Sequence, residues 1–216
     1  MIRKRKWVNM VRDWQVLCNM YPSCVKELIE SLKNLPGVGE KSAERLAFSI
    51  LNFDIEKIDN FSKALVDIKN IKRCPICNNI TDMDECYICK DNNRDNQTIF
   101  VVEKPKDVVL FEKMGNYFGR YHVLGGLISP LEGINPEDIN IDSLVNRVRE
   151  NQVKEVIIVL KPSIEGETTM QYIKKILNND NVRVSKIPIG IPMGADIEYI
   201  DPMTLEMAFE DRKDIA

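Results

Sequence analysis

Between Val25 and Leu35 the apolar residues Leu28, Ile29 and Leu32 recur at the three- and four-residue intervals of one helical face. "LPGVGEKS" then breaks the pattern with a proline and two glycines, and Ala43, Leu46, Ala47 and Ile50 resume it. This predicts helix, tight hairpin, helix, the second helix running from Ser42 onwards. A further helical stretch passes through Phe61, Leu65 and Ile68 towards four cysteines between positions 74 and 89. The polar run "KDNNRDNQ" follows and reads as a linker, its Asn and Asp content favouring turns over packed structure.

Beyond the linker, short apolar runs suited to strands alternate with helical ones. "TIFVVE", "RYHVLGG", "EVIIVL" and "VRVSKIP" read as strands; "KDVVLFEKMG", "IDSLVNRVREN" and "TTMQYIKKILNN" read as the helices between them. That alternation predicts βα units around a mostly parallel sheet. The expected fold is therefore multidomain α+β. A helical domain over 20–73 precedes a small four-cysteine finger over 74–90, an α/β domain over 97–190 and a C-terminal tail over 191–216.

The hydrophobic (44%) and charged (29%) fractions are those of a soluble globular protein, which excludes disordered and collagen-like classes. No apolar run approaches the roughly 18 to 20 residues needed to span a bilayer, and the first 20 residues lack a signal peptide's apolar core. A cytoplasmic protein without a membrane partner is expected. The formal charge of −3 hides an asymmetry: residues 1–19 carry Arg3, Lys4, Arg5, Lys6 and Arg12 against Asp13, leaving 25 basic and 32 acidic side chains in the rest. That segment is read as an extension or arm, with Trp7, Val11 and Trp14 at helical spacing. Attraction to nucleic acid would have to come from a local basic surface.

Cys74-Pro-Ile-Cys77 and Cys86-Tyr-Ile-Cys89 are two CxxC knuckles. Each brings two thiolates together from one tight turn, and two such turns complete the tetrahedral set of four sulfurs that suits Zn2+. With four cysteine ligands no position stays open for water or substrate, so one structural zinc per chain is expected. Disulfides fit poorly without a secretion signal. Cys18 and Cys24 fall outside the pattern and are expected as free thiols.

In "LPGVGEKSAERLA" the order of glycine, lysine and serine is wrong for a phosphate-binding P-loop, because Glu40 separates Gly39 from Lys41. Gly37 and Gly39 permit a sharp turn that aims backbone N–H groups outwards, and Lys41 and Arg45 share a helical face beside it. Such a hairpin can hold a DNA phosphate without reading bases. The residues alone fit equally an ordinary αα-hairpin with a solvated basic face.

The hairpin "LPGVGEKSAERLAF", the four-cysteine finger, "VVEKPKDV", "YHVLGGLISPLEGINP", "IEGET" and "GADIEYIDPMTL" occur in that order. From about Met20 onwards the chain resembles the RecR family of bacterial recombination-repair proteins. The resemblance implies a helix-hairpin-helix domain, a zinc finger, a Toprim domain and a tail that packs on a neighbouring subunit. It further implies a homo-oligomer, from a dimer to a tetrameric ring able to surround DNA. Its implied partners are RecO and RecF, with which it would load RecA at single-stranded gaps.

Toprim enzymes hold Mg2+ with a glutamate after the first strand and a D-x-D pair after a later one, the hard oxygen ligands this ion needs. Glu103 can fill the glutamate role, but Lys161-Pro162-Ser163 stands where the aspartates would. A lysine ammonium repels a divalent cation, so the expected protein has no catalytic site. The resemblance implies that Glu103, Glu165 and Glu167 contact RecO; the alternative is that Glu165 and Glu167 merely favour a helix starting near Thr168. A Toprim-class metal-dependent nucleic-acid enzyme and a zinc-containing protein scaffold remain the rival readings. His122, without a second histidine or a nearby cysteine, is expected to be structural.

Overall fold

The computed structural model describes residues 21–178, 180–188 and 190–212. The expected arm over 1–19 and Cys18 lie outside the described residues. The chain divides between Lys69 and Asn70 into two compact units.

In the first unit, Val25 and Ile29 of α1 (Ser23–Lys33) are buried against Ala43 and Ala47 of α2 (Glu40–Leu51). The two alanines lie four residues apart, hence on one face, and their small side chains let the helices approach closely. Leu46 sits one residue off that line and is exposed, contrary to the expected pattern. The turn between the helices rests on Gly37, whose φ of +78° puts it in the left-handed region. Gly39 is the N-cap, so α2 begins at Glu40, two residues before the expected Ser42. Helix α3 (Ile55–Asp67) starts at Asp54, whose side chain accepts from Lys57 N at 2.8 Å, and none of its residues is buried.

The second unit opens with the antiparallel hairpin β1 (Lys72–Arg73) and β2 (Ile80–Thr81), followed by the short α4 (Tyr87–Lys90). Next come β3 (Thr98–Val102), α5 (Pro105–Met114), β4 (Arg120–Val123), α6 (Ile141–Glu150), β5 (Glu155–Val159), α7 (Ile164–Leu177), β6 (Arg183–Lys186) and α8 (Pro202–Glu210). Strands β3 to β6 form one parallel sheet in the order β4-β3-β5-β6, as the alternation predicts. Ile99, Val101, Val156 and Ile158 face a core completed by Leu144, Val148, Ile173 and Leu177 from α6 and α7. Phe100, Val102, Tyr121 and Val123 face the other way, towards Val108 of α5 and the buried cysteines. Strand β3 thus has neighbours reached by helices on opposite faces, which opens a crevice at the carboxyl ends of β3 and β5.

The finger packs on the sheet: Cys74, Cys77, Cys86 and Ile88 share one core with it. The polar run after it forms turns and bends, and these are held in place by hydrogen bonds. Arg94 donates to both carboxylate oxygens of Glu112 and to Gly119 O, Asp95 N donates to Phe118 O, and Asn96 Oδ1 accepts from Arg120 Nε. Finally, α7 begins at Ile164, four residues before the expected Thr168, because Ser163 caps it.

Candidate metal centre and carboxyl-end crevice

The Sγ atoms of Cys74, Cys77, Cys86 and Cys89 all lie within 4.8 Å of one another. A tetrahedral zinc with Zn–S bonds of ~2.3 Å has S···S edges of about 3.8 Å, so the cluster has the right size. Cys77 and Cys86 sulfurs are 3.4 Å apart, and two backbone donors aim at the cluster: Cys86 N at Cys74 Sγ (3.4 Å) and Cys89 N at Cys86 Sγ (3.5 Å). Hydrogen bonding from Cys77 and Cys89 pulls the Cys86 thiol well below its ordinary range, while the contact with Cys86 pushes Cys77 up. A divalent soft-tolerant ion lets all four sulfurs ionise and closes both knuckles.

The first knuckle turns back through Asn78, which adopts φ +59°, and Cys74 N donates to Asn79 O at 2.7 Å. The turn aims two groups at the outer edge of β4. Val123 N donates to Cys77 O at 2.8 Å, and Asn78 Nδ2 donates to Val123 O at 2.9 Å. From the second knuckle, Ile88 O accepts from Arg120 Nη1. Both halves of the finger are thereby bonded to the same strand.

In the crevice, Val102 pairs with Val159, so Glu103 and Leu160 leave the sheet side by side and Lys161 follows by one residue. Glu103, Lys161 and Ser163 follow the carboxyl ends of the neighbouring strands β3 and β5. Glu103 is mostly buried and pairs with Lys104 Nζ at 2.8 Å. Ser163 Oγ accepts from Gly166 N at 3.2 Å, and its hydroxyl also holds the Glu165 carboxylate below the usual range, with a further contribution from the Lys161 charge. Glu165 and Glu167 lie in the first turn of α7, not on a loop. Gly166 between them is forced by close approach: a Cβ there would lie 2.1 Å from Lys161 O. Beside this turn opens a cavity of about 690 Å3, lined by Lys161, Ser163 and Glu167 and by Met170, Met203 and Met207.

The hairpin of the first unit presents Lys41 and Arg45 on the exposed surface of α2, neither with a carboxylate partner among the described residues. No side chain caps the first turn of α2. A Cβ on Gly37 or Gly39 would meet nothing within 4 Å. His122 is fully buried, with Nε2 2.8 Å from Asn140 O, in keeping with a structural role. Sequence reasoning missed Asn78, Arg120 and Arg147, which join finger, strand and helix α6; nothing in their local sequence separates them from solvated polar residues.

A four-cysteine finger bonded to the edge of a parallel βα sheet, preceded in sequence by a helical hairpin, defines a zinc-finger Toprim protein. Residues 97–188 match the Toprim domain family, 25–69 the RecR helix-hairpin-helix, 71–91 the RecR four-cysteine zinc finger domain and 190–213 the RecR C-terminal region. The chain belongs to the RecR family. The four clustered cysteines are its structural zinc site. Membership implies a role in recombination repair, in a family generally without catalytic activity. Among the described residues no helix is long and apolar enough to cross a membrane.

Proposed function

We propose that the protein is a non-enzymatic DNA-binding clamp and recombination mediator, which acts with RecO and RecF to load RecA at single-stranded gaps. The observation that carries the reading is the end of β5. Where a Toprim enzyme needs two carboxylates, Lys161 offers a cation and Ser163 is already engaged as the cap of α7. Glu103 is meanwhile paired with Lys104. A divalent ion in this crevice would face an ammonium and one pre-paired carboxylate, too little hard-oxygen charge for Mg2+.

DNA binding is assigned to Gly37, Gly39, Lys41 and Arg45. The uncapped N–H groups at the start of α2 favour an anion, the two exposed cations stand on the same face, and the glycines leave room for a phosphate to approach. Self-association, as a dimer or a tetrameric ring, is supported by apolar side chains left uncovered. Helix α3 exposes Ile55, Phe61, Leu65 and Val66, and the C-terminal segment exposes Met193, Tyr199 and Phe209. RecO contact is assigned to Glu103, Glu165 and Glu167. The methionine-lined cavity beside Glu167 adds an adaptable apolar surface to the charged one.

The test uses Glu165→Ala and Glu167→Ala in the full chain. RecO binding is expected to weaken, by slower association if the carboxylates stay at the rim of the contact, while DNA binding and folding are unchanged. Equal RecO affinity in both variants would return these glutamates to helix-start residues, worth roughly 0.3 to 1 kcal/mol. Mg2+-dependent cleavage or nucleotide incorporation by the wild type would overturn the non-enzymatic reading.

A further inference from the structure

Two arginines are buried in the second unit without a carboxylate. Arg120 is 5% and Arg147 9% exposed, and neither forms an ion pair among the described residues. Arg94, close by in the same unit, shows the ordinary solution: it is bracketed by Glu112 and Asp91. A guanidinium withdrawn from water without a counter-charge is strongly disfavoured, and carbonyl oxygens alone offset only part of that cost.

Both unpaired guanidiniums converge on the seam between finger and sheet. Arg120 donates through Nη1 to Ile88 O, inside the second knuckle, and through Nε to Asn96 Oδ1 at 2.8 Å. Arg147 reaches from α6 to Tyr121 O at 2.7 Å, on the same outward edge of β4 that bonds Cys77 and Asn78. Four thiolates around one Zn2+ carry a net charge of −2, and two guanidiniums carry +2.

We infer that Arg120 and Arg147 are the counter-charges of the zinc tetrathiolate, so that the metal centre and the two buried arginines form one neutral unit. They are positioning residues: neither ligates the metal, and each couples the charge of the sulfurs to the edge of the sheet. Zinc binding then neutralises two cations the fold has already buried.

The test compares charge with geometry in the zinc-loaded full chain. Arg147→Gln and Arg120→Gln keep a hydrogen-bond donor and lose the charge; Arg147→Lys and Arg120→Lys keep the charge. Zinc transfer to a chromogenic chelator is expected to become about 10- to 100-fold more favourable in the glutamine variants, the range of outer-shell partners of metal ligands, and to return towards wild type in the lysine variants. In Co2+-loaded protein the thiolate-to-metal charge-transfer band should move to longer wavelength in the glutamine variants, because the removed cation no longer steadies the sulfur electrons. Val145→Ala on the same helix serves as a stability control and should leave the band in place. Wild-type zinc retention and an unmoved band in the glutamine variants would overturn the inference. So would lysine variants that lose zinc, or fail to fold, as completely as the glutamine ones, since that outcome assigns the arginines to geometry alone.

Discussion

At the scale of single residues, burial decides more than residue type. His122 is the chain's sole histidine, and burial first, then the nearby Arg147 charge, push its imidazole down from 6.5 to about 4, against the hydrogen bond to Asn140. The native state thus prefers the neutral ring, and the unfolded chain takes up the proton more readily. Its stabilising contribution is present above pH 6.5 and is lost as the pH falls towards about 4, at most about 3 kcal/mol. Proton NMR of the one imidazole should show no titration above pH 5; a midpoint near 6.5 would mean a wetted ring. Gly166 makes a second case, because its Cβ would strike the Lys161 carbonyl. Gly166→Ala should cost roughly 1 to 3 kcal/mol, read as a lower denaturant midpoint. The zinc ligands were legible in the sequence because CxxC spacing itself encodes convergence. Arg120 and Arg147 were not, since an arginine reads as solvated until strand pairing places it inside the molecule.

Elements were legible wherever apolar periodicity met a clear stop signal, and all four strands of the sheet fall within the predicted runs. The misplaced starts share a cause. At α2 the cap is a glycine, which supplies no side-chain signal, and at α7 the capping Ser163 was read only as a missing metal ligand. Its hydroxyl accepts from Gly166 N and so starts α7 early. On α2, Lys41 and Arg45 stand four residues apart and face outwards, and phosphate contacts carry no base information. Lys41→Ala and Arg45→Ala should therefore weaken DNA binding almost equally across sequences. Each lost contact should reduce the slope of log K against log salt by roughly 0.7 to 0.9. Unchanged affinity and slope in the double variant would place the DNA site elsewhere.

For the whole molecule, the finger, the polar run and the α/β sheet together fall in the unit from Asn70 onwards. The reason is physical: the finger has too little apolar surface to fold alone and packs on the Phe100, Tyr121 and Val123 face of the sheet. No periodicity in the cysteine segment could have announced that dependence. Its consequence concerns solubility. Strand β4 ends the sheet, and an open strand edge is a template on which another chain can add. Cys77 O, Asn78 Nδ2 and the Arg147 guanidinium cover that edge through Val123 and Tyr121. Chelating the metal, or Cys77→Ser, should uncover it, so that zinc loss produces soluble aggregates with intermolecular β-structure before the helical hairpin unfolds. Infrared spectroscopy and light scattering on chelated protein would check this; a metal-free chain that stays dispersed and keeps its native infrared profile would refute it. In that sense the zinc acts as a cork on the sheet, and a cell short of zinc would lose this protein to self-association, not to simple unfolding.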